Sequence, residues 1–154
     1  MTQTWYSPMP LAYGQLYVST PAATTIGVAG TYYKTSGSTT LSSGATDADM
    51  PADNRLRYLG DIDCIFHVTA NVTFTTAAGA NKDVRVRIAK NGTSDAASEA
   101  RTLSNGTDPA CLTLGFLVAL ATNDYLEIFV TNATDTNDVQ WDVGNIVIVG
   151  VPAA

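Results

Sequence analysis

IDCIFHVTANVTFTT (Ile62–Thr76) is the stretch on which the fold turns. Ile62, Cys64, Phe66, Val68, Ala70, Val72 and Phe74 fall on one side of an extended chain, with Asp63, His67, Thr69, Asn71, Thr73 and Thr75 mainly opposite. Strict alternation over so many residues is the mark of a long, half-buried β-strand. The same period returns at 83–90, with Val84, Val86 and Ile88 inward and Asp83, Arg85 and Arg87 outward. It returns again at 111–120 (Leu112, Leu114, Phe116, Val118, Leu120), at 125–131 (Leu126, Ile128, Val130) and at 55–59 (Leu56, Tyr58). Two last strands are expected at 139–143 and 145–151.

Between these runs stand turn signals. Asn91-Gly92 and Asn105-Gly106 pair residues that tolerate positive φ, and Ala121–Asp124 and Asn132–Asp138 are short polar connections. Toward the N-terminus the pattern weakens to short pieces at 14–19 (Leu16, Val18), at Ile26 and Val28, and at Tyr32-Tyr33, with another weak strand at 98–104. Residues 35–54, rich in Ser, Thr, Gly, Ala and Asp, read as a long loop, and a loop of that length in one domain is functional or mobile. The series amounts to about eight to ten strands without a helical period, so the fold is all-β, an antiparallel sandwich or barrel.

Composition agrees. Twenty-two of the 154 residues are Thr and only Glu99 and Glu127 are Glu, a balance that favours pleated strands over helices. Charged residues make up 14% of the chain, below the roughly 25% of ordinary soluble domains, which suggests that sister subunits cover part of the surface or that Thr, Ser and Asn keep it soluble. The net charge of −6 disfavours phosphate backbones, and no nucleic-acid partner is expected. No apolar run reaches the 18 residues of a membrane span, and the first residues lack the basic and apolar regions of a secretory signal.

One domain is expected over 14–154, preceded by an extended arm over 1–13. Pro8 and Pro10 block regular structure in that arm, while Trp5, Tyr6 and Tyr13 are costly to leave in water. The arm is therefore expected to pack on its own domain, a neighbouring subunit or a partner.

The residues of catalysis are sparse. His67 is the sole histidine, no serine lies in a nucleophile-elbow motif, and Cys64, Cys111 and one His do not supply a zinc site. The Asp clusters at 47–53, 61–63 and 135–138 lack the Gly and closing Glu of a calcium loop. No enzyme activity, cofactor or metal is expected. Cys64 reads as a core residue and Cys111 as facing the other way; free thiols are expected, with a disulfide the alternative. Trp141 reads as a buried residue.

Three longer stretches carry a family resemblance. "AKNGT" (Ala89–Thr93) closes a charged strand, "LATNDYLEIFVTNAT" (Leu120–Thr134) follows an apolar one, and "VQWDVGNIVIVGV" (Val139–Val151) ends the series. Together, over roughly 14–151, they resemble small jelly-roll proteins of tailed bacteriophages, the head cement or decoration proteins and the knob domains of fibres. That fold is similar to the trimeric jelly-roll of the tumour-necrosis-factor and complement type. Where the superfamily usually has Gly-Asp before its penultimate strand, this chain has Asn123-Asp124, compatible with the same turn.

The resemblance implies a homotrimeric antiparallel jelly-roll and a structural role in a virion. It implies a cement protein on the outer surface of a phage head, made in the host cytoplasm, with itself and the major capsid protein as partners. The alternative is a receptor- or glycan-binding fibre knob. The expected trimer seam is Val147, Val149 and Val151, because they alternate with Ile146 and Ile148 and make both faces of the last strand apolar; the other reading of this strand is a plain central strand of a monomeric sandwich. The expected capsid contacts are Trp5, Tyr6, Pro8, Met9 and Tyr13 of the arm, with the 35–54 loop as the other candidate for the grip.

Overall fold

The alternating stretch folds as the long strand β7 (Cys64–Thr76) in a computed structural model that describes residues 11–152. Before it come β1 (Tyr13–Pro21), β2 (Ala23–Thr24), β3 (Tyr33–Lys34), β4 (Gly37–Leu41), β5 (Ala48–Ala52) and β6 (Arg55–Tyr58). After it come β8 (Lys82–Lys90), β9 (Thr93–Ser94), β10 (Ala100–Ser104), β11 (Ala110–Leu120), β12 (Tyr125–Asn132) and β13 (Val139–Pro152). A single 3-10 turn, Ala96–Ser98, is capped by the Asp95 carboxylate accepting from the Ala97 N–H at 2.8 Å.

The strands form two antiparallel sheets. The first has the order β11-β7-β13-β1-β4 with β2 beside β13; the second has the order β10-β8-β12-β6-β5 with β3 beside β12 and β9 beside β8. Their inner faces meet as a jelly-roll sandwich, and strands distant in sequence become neighbours. β13 pairs with β7 along its whole length, and β11 pairs with β7 from Ala110↔Phe74 to Leu120↔Cys64.

The inward residues of the alternation are the core. Phe66, Val68, Ala70 and Phe74 of β7 meet Val84, Val86 and Ile88 of β8 and Leu126, Ile128 and Val130 of β12, all fully buried. Each such side chain contributes about 1.5–3 kcal/mol by leaving water. Tyr58 packs edge-on to Phe66 with ring centroids 4.9 Å apart, and its hydroxyl donates to the Ile62 carbonyl at 2.6 Å. Trp141 is buried as expected, and its indole N–H donates to the Val143 carbonyl at 3.1 Å.

Several boundaries differ from the sequence reading. β7 begins at Cys64, so Ile62 is exposed and not a core residue. β1 begins at Tyr13, one residue inside the expected arm, where it pairs with Val149 and bridges to Thr46. Ile26 is buried without belonging to a strand, and the paired residues nearby are Ala23–Thr24. The expected loop 35–54 instead contains β4 and β5, edge strands whose Thr, Ala and Asp residues carry little apolar alternation.

That segment is tied down by polar groups. Asn54, at φ 51° and fully buried, donates to the Ile128 carbonyl at 3.0 Å and accepts from the Ile128 N–H at 3.2 Å, while its own N–H donates to Thr39 Oγ1 at 2.7 Å. The two expected C-terminal strands are one, β13, whose register shifts at a bulge between Trp141 and Val143. Gly144 permits this close passage: a Cβ there would fall 2.2 Å from the Asn71 carbonyl and 2.6 Å from the Trp141 indole nitrogen.

Candidate assembly face

The outward residues of β7 form an unusual surface with their neighbours across the first sheet. Register places them in rows. Ala119, Ile65 and Val151 make one row; Leu117, His67, Val149 and Tyr13 make the next; Gly115, Thr69, Val147 and Gln15 follow. Then come Thr113, Asn71, Asn145, Tyr17 and Thr40. Among the described residues, the large hydrophobics Leu117, Val143, Val151, Ile65, Tyr13, Tyr17 and Val149 all lie exposed here, Leu117 at 68%. Side chains of this kind in contiguous rows mark a contact surface, whereas scattered ones do not.

Charge is almost absent from the same sheet. β1, β2, β4, β7, β11 and β13 together hold one carboxylate, Asp142 at the bulge, and one imidazole, His67. Asp142 Oδ1 accepts from the Gln140 amide at 2.6 Å. The polar row is instead a ladder of neutral groups: Thr113 Oγ1 donates to Asn71 Oδ1 at 3.0 Å, and Asn71 Nδ2 donates to Asn145 Oδ1 at 3.3 Å. β11 is moreover an edge strand of eleven residues, paired only with β7, without a charge or a proline. Edges left to solvent are ordinarily protected by Lys, Pro or brevity. A depression of about 340 Å³ opens beside this face, between Leu11, Tyr13, Val147, Val149 and the turn at 42–45.

The second sheet has the opposite character. All eight Lys and Arg residues of the chain, from Lys34 to Arg101, stand on its strands. Most meet a carboxylate. The buried Glu127 Oε1 takes Lys34 and Arg55 at 2.9 Å each; Arg57 meets Asp49 at 2.6 Å, Arg85 meets Asp83 at 2.7 Å, and Lys82 meets Asp135. The Arg87 guanidinium lies 4.2 Å from the centre of the Tyr32 ring and bonds Glu99, to which the Tyr32 hydroxyl also donates at 2.5 Å. The Tyr32 hydrogen bond and then Arg87 hold the Glu99 carboxyl below its usual range, while burial and Glu99 push the Tyr32 phenol up. Arg85 likewise holds Asp83 low, and Lys82 holds Asp135 low.

The expected seam residues are therefore brought together with others. Val147, Val149 and Val151 lie on the outer face while Ile146 and Ile148 are wholly buried. Tyr13 joins them beside Val149 in β1. Trp5, Tyr6, Pro8 and Met9 lie outside the described residues. The sequence reading missed Ile65, Leu117, Tyr17 and Val143; the available signal was the run GFLVA, where Leu117 interrupts the alternation of β11. Cys64 is buried and Cys111 exposed, both as free thiols. Among the described residues no three His, Cys, Asp or Glu side chains converge as metal ligands, and no helix is long and apolar enough to cross a membrane.

These features define a class, an antiparallel jelly-roll with one uncharged outer face. Among solved structures the chain is similar to Eiger TNF from S. frugiperda, with 10% identity, a TM-score of 0.61 and coverage of 94% of this chain and 95% of that one. It is also similar to PRD1 vertex protein P5, with 12% identity, a TM-score of 0.53 and coverage of 90% and 96%. Likeness at this identity is likeness of fold. No protein-family model and no curated protein matches the sequence.

Proposed function

We propose that the protein is a virion structural protein that assembles as a homotrimer through the outer face of its first sheet and cements the outside of a phage head. The observation that carries this reading is the face itself: rows of exposed Leu117, Ile65, Val149, Val151 and Tyr13 on a sheet with a single carboxylate. Covering such a face by a second copy removes apolar surface from water at about 25 cal/mol per Å² and hides the undefended β11 edge. The tumour-necrosis-factor-type resemblance supports three-fold symmetry. The likeness to a vertex protein supports a virion location.

Cementing calls for a rigid body and a grip, with no catalytic group. The grip is assigned to the arm, with Trp5 and Tyr6 as aromatic anchors and Pro8 and Met9 beside them, while Tyr13 stands in β1 beside Val149 on the seam; anchors of this type dominate contact energies. Three arms per trimer and many trimers per shell multiply weak contacts into firm retention. The test is sedimentation of the purified protein with undecorated heads. Co-sedimentation that is lost on deleting residues 1–10 supports both cementing and the arm. Failure to bind heads, together with binding to host cells, favours the fibre-knob alternative.

A further inference from the structure

His67 lies in the middle of the uncharged face. Across the strands it faces Leu117 of β11 and Val149 of β13, and along its own strand it is flanked by Ile65 and Thr69. It is the sole histidine of the chain and is exposed in the single subunit. We propose that His67 makes assembly through this face acid-labile: copies join when the imidazole is neutral and separate when it is protonated. The inference rests on the trimer reading above and adds its regulation.

The argument is one of burial without a counter-ion. An imidazole in water takes up a proton below about pH 6.5, alone among side chains in changing charge between pH 5 and 8 at its ordinary value. A cation carried into an apolar seam costs several kcal/mol unless an anion accompanies it.

On the strands of this sheet the other titratable side chains are Tyr13, Tyr17, Cys111, Cys64 on the buried side of β7, and Asp142 at the far bulge, the one carboxylate among them. Beyond the strand ends stand Asp63, four residues or about 13 Å along the chain, Asp47 past the Tyr13–Thr46 bridge, and the Lys90–Asp124 pair. The Lys90 ammonium of that pair donates to the Ala119 carbonyl. No carboxylate of this face is therefore placed to meet an imidazolium at 67. In a trimer the penalty is repeated three times, so acid acts steeply.

The experiment is the solution mass of the protein by light scattering at pH 7.5 and pH 5.0, with far-UV circular dichroism confirming the fold at both. The wild-type chain is expected at three times 16.2 kDa at pH 7.5. At pH 5.0 its dissociation constant should rise on the order of ten-thousandfold, about thirtyfold for each of three imidazoles. His67→Gln, which keeps a polar side chain but does not titrate, is expected to remain trimeric at both values. A wild-type trimer unchanged at pH 5.0, or a His67→Gln trimer that dissociates in step with wild type, overturns the proposal and leaves the trimer reading standing. A monomer at pH 7.5 overturns both.

Discussion

The two sheets share one grammar of alternation and treat their outer faces oppositely. In the second sheet the outward positions of β8 are Asp83, Arg85 and Arg87, each held by an ion pair within the chain. In the first sheet the matching positions of β7 are Ile65, His67, Thr69 and Asn71, and those of β13 are Val147, Val149 and Val151. Intramolecular pairing satisfies all of the second face's cations but Arg101 in a single copy, although Leu103 of β10 stays exposed there. The first leaves large apolar side chains in water, which a second copy would cover in the proposed assembly. The contrast teaches that surface charge in this chain is sorted by sheet, and that the low charge content of the sequence is a property of one face.

The largest expected effect breaks the uncharged face. Val149→Asp, made in the His67→Gln background so that no imidazole can pair with it, places a carboxylate in the Leu117 row of the seam, where it would be buried three times over. It should abolish the trimer at micromolar concentration while leaving the melting temperature of the folded subunit within a few degrees, since Val149 packs against no core. A trimer that persists in this double variant removes this face from the interface.

Next in size is the converse test on the second sheet. Glu127→Gln leaves Lys34 and Arg55 facing a neutral amide at the buried end of their pair. It should cost about 2–3 kcal/mol of unfolding free energy, less than a fully buried pair because both cations remain about a third exposed. The readout is urea denaturation, and the trimer mass should not change.

A smaller effect concerns Cys111, exposed on the first sheet beside Thr73, where Sγ and Oγ1 lie 3.4 Å apart. Alkylation of the native protein should be about tenfold slower than in the monomeric double variant, as for a site open about 1.4 kcal/mol less often. Equal rates would place Cys111 outside the seam.

The smallest effect per group sharpens the comparison by pH. Asp83 and Glu99 are held low by Arg85 and by Tyr32 with Arg87, and Asp135 by Lys82. Asp124 is low despite burial, because Lys90, Asn91 and the Ala121 N–H hold it. Carboxyls lowered in the folded chain stabilise it above their unfolded value near pH 4, and that contribution is lost as pH falls further. Thermal stability should therefore fall below about pH 4, a window separate from the loss of assembly between pH 7.5 and 5.0. Coincident losses would mean that the sheets do not act independently.

Much of this was legible in the sequence because β7 and most of β8 alternate with large apolar residues and bury them accordingly, whereas β12 buries Glu127 and Thr131 along with Leu126, Ile128 and Val130. β4 and β5 were not legible. Their pairing is enforced by tertiary bonds through Asn54, Thr39 and Asp53, whose N–H and side-chain partners are distant in the chain. The continuity of β13 was hidden for a similar reason, since Gly144 reads as a break and in fact stays paired with Val72, just past the bulge and against the Trp141 indole. The candidate face was half legible: Val147, Val149 and Val151 declare themselves by a strand apolar on both sides. Ile65, Leu117 and Tyr17 join them only when β7, β11 and β1 are brought into register.

The most direct test of the central claim is sedimentation equilibrium of the purified chain at micromolar concentration and neutral pH. The account predicts a single species of three times 16.2 kDa. A species of 16.2 kDa would leave the uncharged face open to water in solution and would contradict the account.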